Sequence, residues 1–251
     1  MRAQIFKDRL RKRDRLTGIL LSLPSPEIAE ICAEAGFDWL FIDMEHGLLD
    51  SAAVQRMIQA VAGRSACVVR VPANEPNAIA KALDFGADGL IFPHISRAEE
   101  ARAAVSAARY SPEGIRSIGL ARAQGYGMRV ADCLSRANKE IILIAQAEHI
   151  EAAENIDEII AVDGLDAVFI GPFDLSASLG IPGQTADPRV QKAIARIRTA
   201  CAGHGLPSGI FCRDAAAARA LAAEGFTLIC AGADGLLLGT AARRMLDEIL
   251  S

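Results

Sequence analysis

The sequence predicts a single (β/α)8 TIM barrel covering residues 1–251. Three observations carry that reading. A chain of 251 residues is long for one ordinary domain and usual for one α/β barrel. Eight short apolar, β-branched runs alternate with helical segments, with no linker-like change in composition and no internal repeat. Polar residues gather just past the carboxyl ends of those runs, where a barrel of parallel strands places its site.

Taken in order, Met1 to Arg15 is a basic amphipathic opening and predicts a short helix across the barrel bottom. Thr17 to Leu23 is the first strand, and Ser25-Pro26-Glu27 starts a helix that ends at Gly36. Trp39 to Ile42 is the second strand and runs into Asp43-Met44-Glu45-His46-Gly47, before a helix from about Ser51 to Ala62. Ala66 to Val71 is the third strand, followed by a helix over Pro76 to Phe85. Leu90 to Pro93 is the fourth, with a helix from Arg97 to Ala108. The stretch 109–129 is rich in Gly and Arg and too long for a plain connector, which predicts a functional loop. Ile141 to Glu148 and Ala167 to Pro172 are strands five and six, with a helix between them. A helix over Pro188 to Ala202, a strand over Ser208 to Cys212, a helix capped by Asp214, a strand over Thr227 to Ala231 and a last helix from about Gly235 to Leu250 complete the series.

Composition excludes several classes. A net charge of −4 and 5% aromatic residues speak against nucleic-acid binding. No apolar run suits a signal peptide or a membrane span, so a cytoplasmic protein with no membrane partner is expected. Six cysteines without a CxxC pair read as small buried residues of a reduced protein rather than thiol ligands for zinc.

The strand-end polar residues are Asp43, Glu45 and His46, Arg70, His94, Gln146 and Glu148, and Asp174. Gln146 and Glu148 are two apart on a strand and so share a face. Glu148 and Asp174 would meet across neighbouring strand ends, a pair of oxygen ligands suited to a hard divalent cation. The alternative is a helix-capping Asp174 and a solvated Glu148. Arg70, inside VVRVP, needs an anionic partner if buried, from Asp43, Glu45 or a substrate. His46 follows two acids, with Gly47 letting the chain turn, and is a candidate acid/base group. His94 closes its strand without further signal, and Asp84 reads as a solvated helix residue. The helix start Gly171-Pro172-Phe173-Asp174 exposes free N–H groups to a small acid. None of the five lysines falls at a strand end, which excludes Schiff-base aldol chemistry and favours a metal-stabilised enolate. Phe211, the last bulky residue of strand seven, is either core or the wall of an acceptor pocket.

DWLFIDMEHG, VVRVP, RYSPEGIRSIG, the AQAE strand end and GPFDLSASLG together resemble the HpcH/HpaI aldolase family, in that family's order and over nearly the whole chain. The resemblance implies a metal-dependent carbon–carbon lyase holding Mg2+, Mn2+ or Co2+. It would reversibly cleave 4-hydroxy-2-oxo acids to pyruvate or hydroxypyruvate plus an aldehyde. By position, Glu148 and Asp174 become metal ligands, and Gln146 with the backbone at Phe173 and Asp174 holds the oxo acid. His46 becomes the acid/base group, Arg70 the stabiliser of the enolate, and Asp84 a residue that raises the basicity of the histidine. Asp43 would sit beside the metal-bound water. Phe173 departs from the small residue often found there, which bears on pocket shape. The resemblance also implies a homo-hexamer, a dimer of trimers, exchanging the last helix. The competing readings are an acyl-CoA lyase of the citrate lyase β-subunit type and a non-enzymatic barrel that binds a small acid.

Overall fold

A strand buried on both sides must point alternate residues inward and outward, and the eight strands do this around a closed ring. The computed structural model describes residues 2–251. Helix α1 (Arg2–Arg11) precedes β1 (Leu16–Leu21), then come α2 (Pro26–Glu34), β2 (Trp39–Asp43), α3 (Ser51–Val61) and β3 (Ala66–Arg70). These lead to α4 (Pro76–Asp84), β4 (Gly89–Phe92), α5 (Ala98–Ala108), a 3-10 turn at Gly125–Gly127, α6 (Val130–Glu140) and β5 (Ile142–Ala147). The chain closes with α7 (Ile150–Glu154), α8 (Ile156–Ile160), β6 (Ala167–Ile170), α9 (Pro172–Ser178), α10 (Pro188–His204), β7 (Ser208–Cys212), α11 (Ala215–Ala223), β8 (Leu228–Ala233) and α12 (Asp234–Leu250). All strands pair in parallel in the order β1 to β8, and β8 returns to β1.

The inward set is Leu16, Trp39, Phe41, Ala66, Val68, Ile91, Ile142, Ile144, Ala167, Phe169, Leu228 and Cys230, a cluster separate from the outer core under the helices. Trp39, Phe41 and Phe169 stack edge-on or tilted at 5.5–6.0 Å and fill the barrel centre, so it is a packed core and not a channel. Phe6 and Leu10 of α1 join this inner cluster, and Lys7 pairs with buried Asp166 at 2.9 Å. The opening helix therefore plugs the bottom, as its amphipathic sequence predicts. Burial lowers the Lys7 pKa, and Asp166 opposes that shift.

The inward parity continues upward into Asp43, Arg70, Gln146 and Phe211, so the strand that builds the core also aims the polar groups. Caps follow the sequence: Ser25 Oγ accepts from Ile28 N (3.2 Å), and Asp214 accepts from Ala216 and Ala217 N. Buried Asp234, which the sequence did not single out, accepts from Ser22 N, Ser22 Oγ, Leu23 N and Gly235 N at 2.7–3.0 Å. That carboxylate ties the end of β1 to the start of α12, beside the seam where β8 pairs with β1.

Three expectations are corrected. Residues 130–140 form α6, a helix missed in the sequence although Val130, Cys133, Leu134 and Ala137 recur at helical spacing and are half-buried; Arg136 pairs with Asp132 and Glu140, one turn away on either side. The helix between β5 and β6 is two short ones that meet at Asn155. Strand ends differ by at most two residues, with β1 stopping at Leu21 and β6 at Ile170. Five of the six cysteines are buried, and among the described residues none forms a disulfide; burial raises the Cys201 thiol to about 12.

Candidate active site

Arg70 is the centre of the strand-end cluster. Its Nε and Nη2 donate to the two oxygens of Asp43 at 2.8 and 2.7 Å, and Nη1 lies 2.9 Å from Glu45 Oε2. β3 pairs with β2 in the register Asp43↔Arg70, which puts this bidentate fork in place. Burial opposes the charge of Arg70, but the hydrogen bond to Asp43 and the charges of Asp43, Glu45 and Glu148 outweigh it and raise the pKa. The guanidinium also lies over Phe41, 5.2 Å from the ring centre.

Asp43 shapes the next turn as well, since its Oδ1 accepts from Glu45 N (3.0 Å) and His46 N (3.4 Å). Gly47 is required there, because a Cβ would run into the Asp43 carbonyl oxygen. The turn leaves the His46 imidazole open to solvent, with Nε2 3.8 Å from Glu45 Oε2.

Gln146 and Glu148 lie side by side at the end of β5, and Gln146 Nε2 donates to Glu148 Oε2. Glu148 is 3% exposed. Burial raises its pKa; hydrogen bonds from Gln146 and the His94 backbone, and the nearby His94 ring, pull it back, while Glu45 adds to the rise. Gln146 is 2% exposed and its Oε1 has no hydrogen-bond partner. Gly171 lets the β6–α9 turn approach: a Cβ there would stand 3.0 Å from Glu148 Oε2. Asp174 lies in the first turn of α9 with its side chain exposed.

A cavity of about 170 Å3 joins His46, Arg70, Gln146, Gly171, Phe173, Asp174 and Phe211, with Leu20, Phe41, Phe169 and Pro172 beneath and around them. Phe211 is half-buried and its ring centre is 6.4 Å from that of Phe173, so it is a wall of this cavity. A larger cleft of about 720 Å3 lies among α4, α6 and the 109–129 loop, away from the strand-end groups.

Asp84 is not brought to His46 within the chain. At the end of α4 it accepts from Arg116 Nη2 (2.8 Å) and Gln124 Nε2 (2.9 Å), both buried, with Arg116 over the Tyr110 ring at 4.4 Å. The Gly- and Arg-rich loop thus grips Asp84. His94 is the residue that sequence reasoning passed over: its Nε2 lies 2.8 Å from Glu45 Oε1, its Nδ1 3.1 Å from Glu148 Oε1, and its backbone N donates to Glu148 Oε1 at 2.7 Å. The available signal was its place in the series of strand-end polar residues. Glu45, His94 and Glu148 can offer ligand atoms all within 4.8 Å of one another.

These residues fit a divalent cation. A buried carboxylate held against its own desolvation, an acceptor oxygen on Gln146 without a donor, and further carboxylate and imidazole groups make an oxygen-rich donor set.

Residues 16–241 match the family model HpcH/HpaI aldolase/citrate lyase. A hydroxypyruvate/pyruvate aldolase of Cupriavidus necator is 42% identical over 96% of this chain and 90% of its own length. A 5-keto-4-deoxy-D-glucarate aldolase of Shigella dysenteriae serotype 1 is 39% identical over 96% of this chain and 95% of its own. The crystal structure of an HpcH/HpaI aldolase/citrate lyase family protein from Burkholderia cenocepacia superposes with a TM-score of 0.95 at 41% identity, covering 99% of this chain and all of that one. The chain belongs to the HpcH/HpaI aldolase/citrate lyase family and is an enzyme of the lyase class.

Proposed function

We propose that this enzyme is a divalent-metal-dependent aldolase that reversibly cleaves 4-hydroxy-2-oxo acids to pyruvate or hydroxypyruvate and an aldehyde. The observation that carries the reading is Arg70, locked by Asp43 and Glu45 and facing the same small cavity as Gln146, Asp174 and His46. Glu148 and Asp174 would hold the cation, which when bound supplies Lewis acidity toward the carboxylate and 2-oxo oxygens of the substrate. Mg2+, Mn2+ and Co2+ all suit a mainly oxygen donor set.

The remaining work falls to side chains. Gln146 and the backbone at Phe173 and Asp174 orient the oxo acid. His46, exposed at the rim, takes the proton from the 4-hydroxyl oxygen. The C3–C4 bond then breaks, releasing the aldehyde and leaving its electron pair in the enolate. The Arg70 guanidinium, already fixed, stabilises the negative charge on the 2-oxo oxygen without reorganising. Protonation at C3 completes pyruvate. Phe173 and Phe211 border the side where the aldehyde leaves. Asp43 holds Arg70 and the His46 turn.

A cavity of about 170 Å3 suits a short free acid, since pockets for drug-sized ligands run to about 300–1,000 Å3. The acyl-CoA alternative would need a nucleotide to lie outside it. The α12 helix carries exposed Leu237, Leu238, Met245, Leu246, Ile249 and Leu250, which supports exchange of this helix between copies in a homo-hexamer. Any action of Asp84 on His46 would then be exerted between copies. Among the described residues no helix is long and apolar enough to cross a membrane, in keeping with a cytoplasmic setting.

The test is a donor-by-acceptor screen with metal-loaded protein, an EDTA-treated control, and Glu148→Gln and Asp174→Asn variants. Cleavage of free oxo acids should require added metal and vanish in both variants. Full activity of either variant without metal, or cleavage of a CoA thioester in place of free acids, would sink the reading.

A further inference from the structure

His94 sits in an unusual backbone state, and its ring touches two carboxylates. Its φ is +54°, a left-handed conformation that costs a non-glycine residue energy and persists where surrounding contacts enforce it. The enforcing contact is visible: the His94 N–H donates to Glu148 Oε1 at 2.7 Å. The turn thereby presents Nδ1 at 3.1 Å from that same oxygen, while Nε2 faces Glu45 Oε1 at 2.8 Å. The ring is 67% exposed, so solvent and ions reach it freely.

Two atoms that ligate one ion at about 2.1 Å, at right angles, stand about 3 Å apart. The Nδ1 to Glu148 Oε1 separation matches such an edge. A histidine that ligates through one nitrogen commonly donates its other N–H to a carboxylate, which fixes the tautomer and the ring orientation. Glu45 occupies that second position and is itself anchored by Arg70 Nη1 at 2.9 Å. On the far side of Glu148 lies Gln146, nearly fully buried, with an oxygen that no donor satisfies.

We propose that His94 Nδ1 is a further ligand of the cation held by Glu148, oriented by Glu45 through Nε2, and that it biases the centre toward Co2+ or Zn2+ and away from Mg2+. The inference rests on the metal-dependent reading above. Its chemical basis is that imidazole suits first-row transition ions and zinc, whereas Mg2+ prefers oxygen.

The experiment uses full-length protein stripped of metal and titrated separately with Co2+, Zn2+ and Mg2+. Calorimetry gives affinities and visible absorption reports the Co2+ ligand field. The variants are His94→Gly, which suits the left-handed backbone and removes the ring, His94→Gln, and Glu148→Gln; thermal melts confirm that each folds. The expected result is that both His94 variants lose about 10–100-fold in Co2+ and Zn2+ affinity, change the Co2+ spectrum, and leave Mg2+ affinity nearly unmoved. If the Co2+ spectrum and the Co2+-to-Mg2+ affinity ratio are the same in both His94 variants as in wild type, while Glu148→Gln abolishes binding, His94 is not a ligand and the aldolase reading stands. If the wild-type protein binds none of the three ions, both fall.

Discussion

Replacing Arg70 by leucine removes the cation between two carboxylates that have little access to water. Asp43 is 2% exposed and receives both arms of the guanidinium fork, and the Glu45 side chain is 8% exposed at 2.9 Å from Nη1. Breaking a buried pair from one side leaves an uncompensated charge, at a cost of about 3–5 kcal/mol. For a chain of this size each kcal/mol lowers Tm by about 2–4 °C, so the expected loss is roughly 6–20 °C. Thermal melts followed by circular dichroism, at matched protomer concentration and with EDTA present, measure it. Arg70→Lys keeps the charge but loses the fork. It should recover much of the stability while leaving aldol cleavage strongly impaired, because the charge no longer sits rigidly over the cavity. A melt for Arg70→Leu within about 0.5 kcal/mol of wild type, the range of neutral surface changes, would show that Asp43 and Glu45 do not depend on Arg70. The guanidinium would then not be held in place by these two carboxylates.

Glu148→Gln should stabilise the metal-free protein at neutral pH. A carboxyl whose folded pKa is raised, here by burial above the reference 4.5, binds its proton more tightly when folded. Its ionisation therefore weakens the fold as pH climbs from the unfolded value through the folded one, and the penalty is absent well below 4.5. Melts from acid to neutral pH should show the variant's advantage growing with pH; a variant less stable than apo wild type at neutral pH contradicts this. His46→Ala should slow cleavage by about two to four decades with metal affinity nearly intact, and unchanged turnover at saturating substrate removes His46 from the chemistry. Phe211→Ala should reorder aldehyde preference by tens of fold, matching the about 1–3 kcal/mol a pocket wall can discriminate. Proton exchange at pyruvate C3 should survive, and a joint loss of exchange and cleavage would make Phe211 a core residue.

Much of this was written in the chain itself. Period-two alternation in the strands decides which residues enter the barrel, and the same parity carries Asp43, Arg70, Gln146 and Phe211 to its mouth. The fold class and the placement of these groups at the barrel mouth were legible for that reason, since a strand's facing is a local property. Caps at Ser25 and Asp214 are equally local. Other features depend on distance in space. Glu45 and His94 come from different strand ends and meet at 2.8 Å only because the ring closes with β2, β3, β4 and β5 side by side. Nothing near His94 in sequence reveals that its backbone is left-handed or that Glu148, 54 positions on, holds it so. Asp84 reads as a solvated helix residue until the 109–129 loop folds back and places Arg116 and Gln124 on it. α6 was passed over although its apolar stripe, Val130, Cys133, Leu134 and Ala137, has helical spacing; only the tertiary structure shows that this stripe stays half-buried. Local pattern decided the scaffold and the direction of each side chain. Closure of the barrel decided which charges became neighbours, and the strength of those contacts depends on the burial that closure brings.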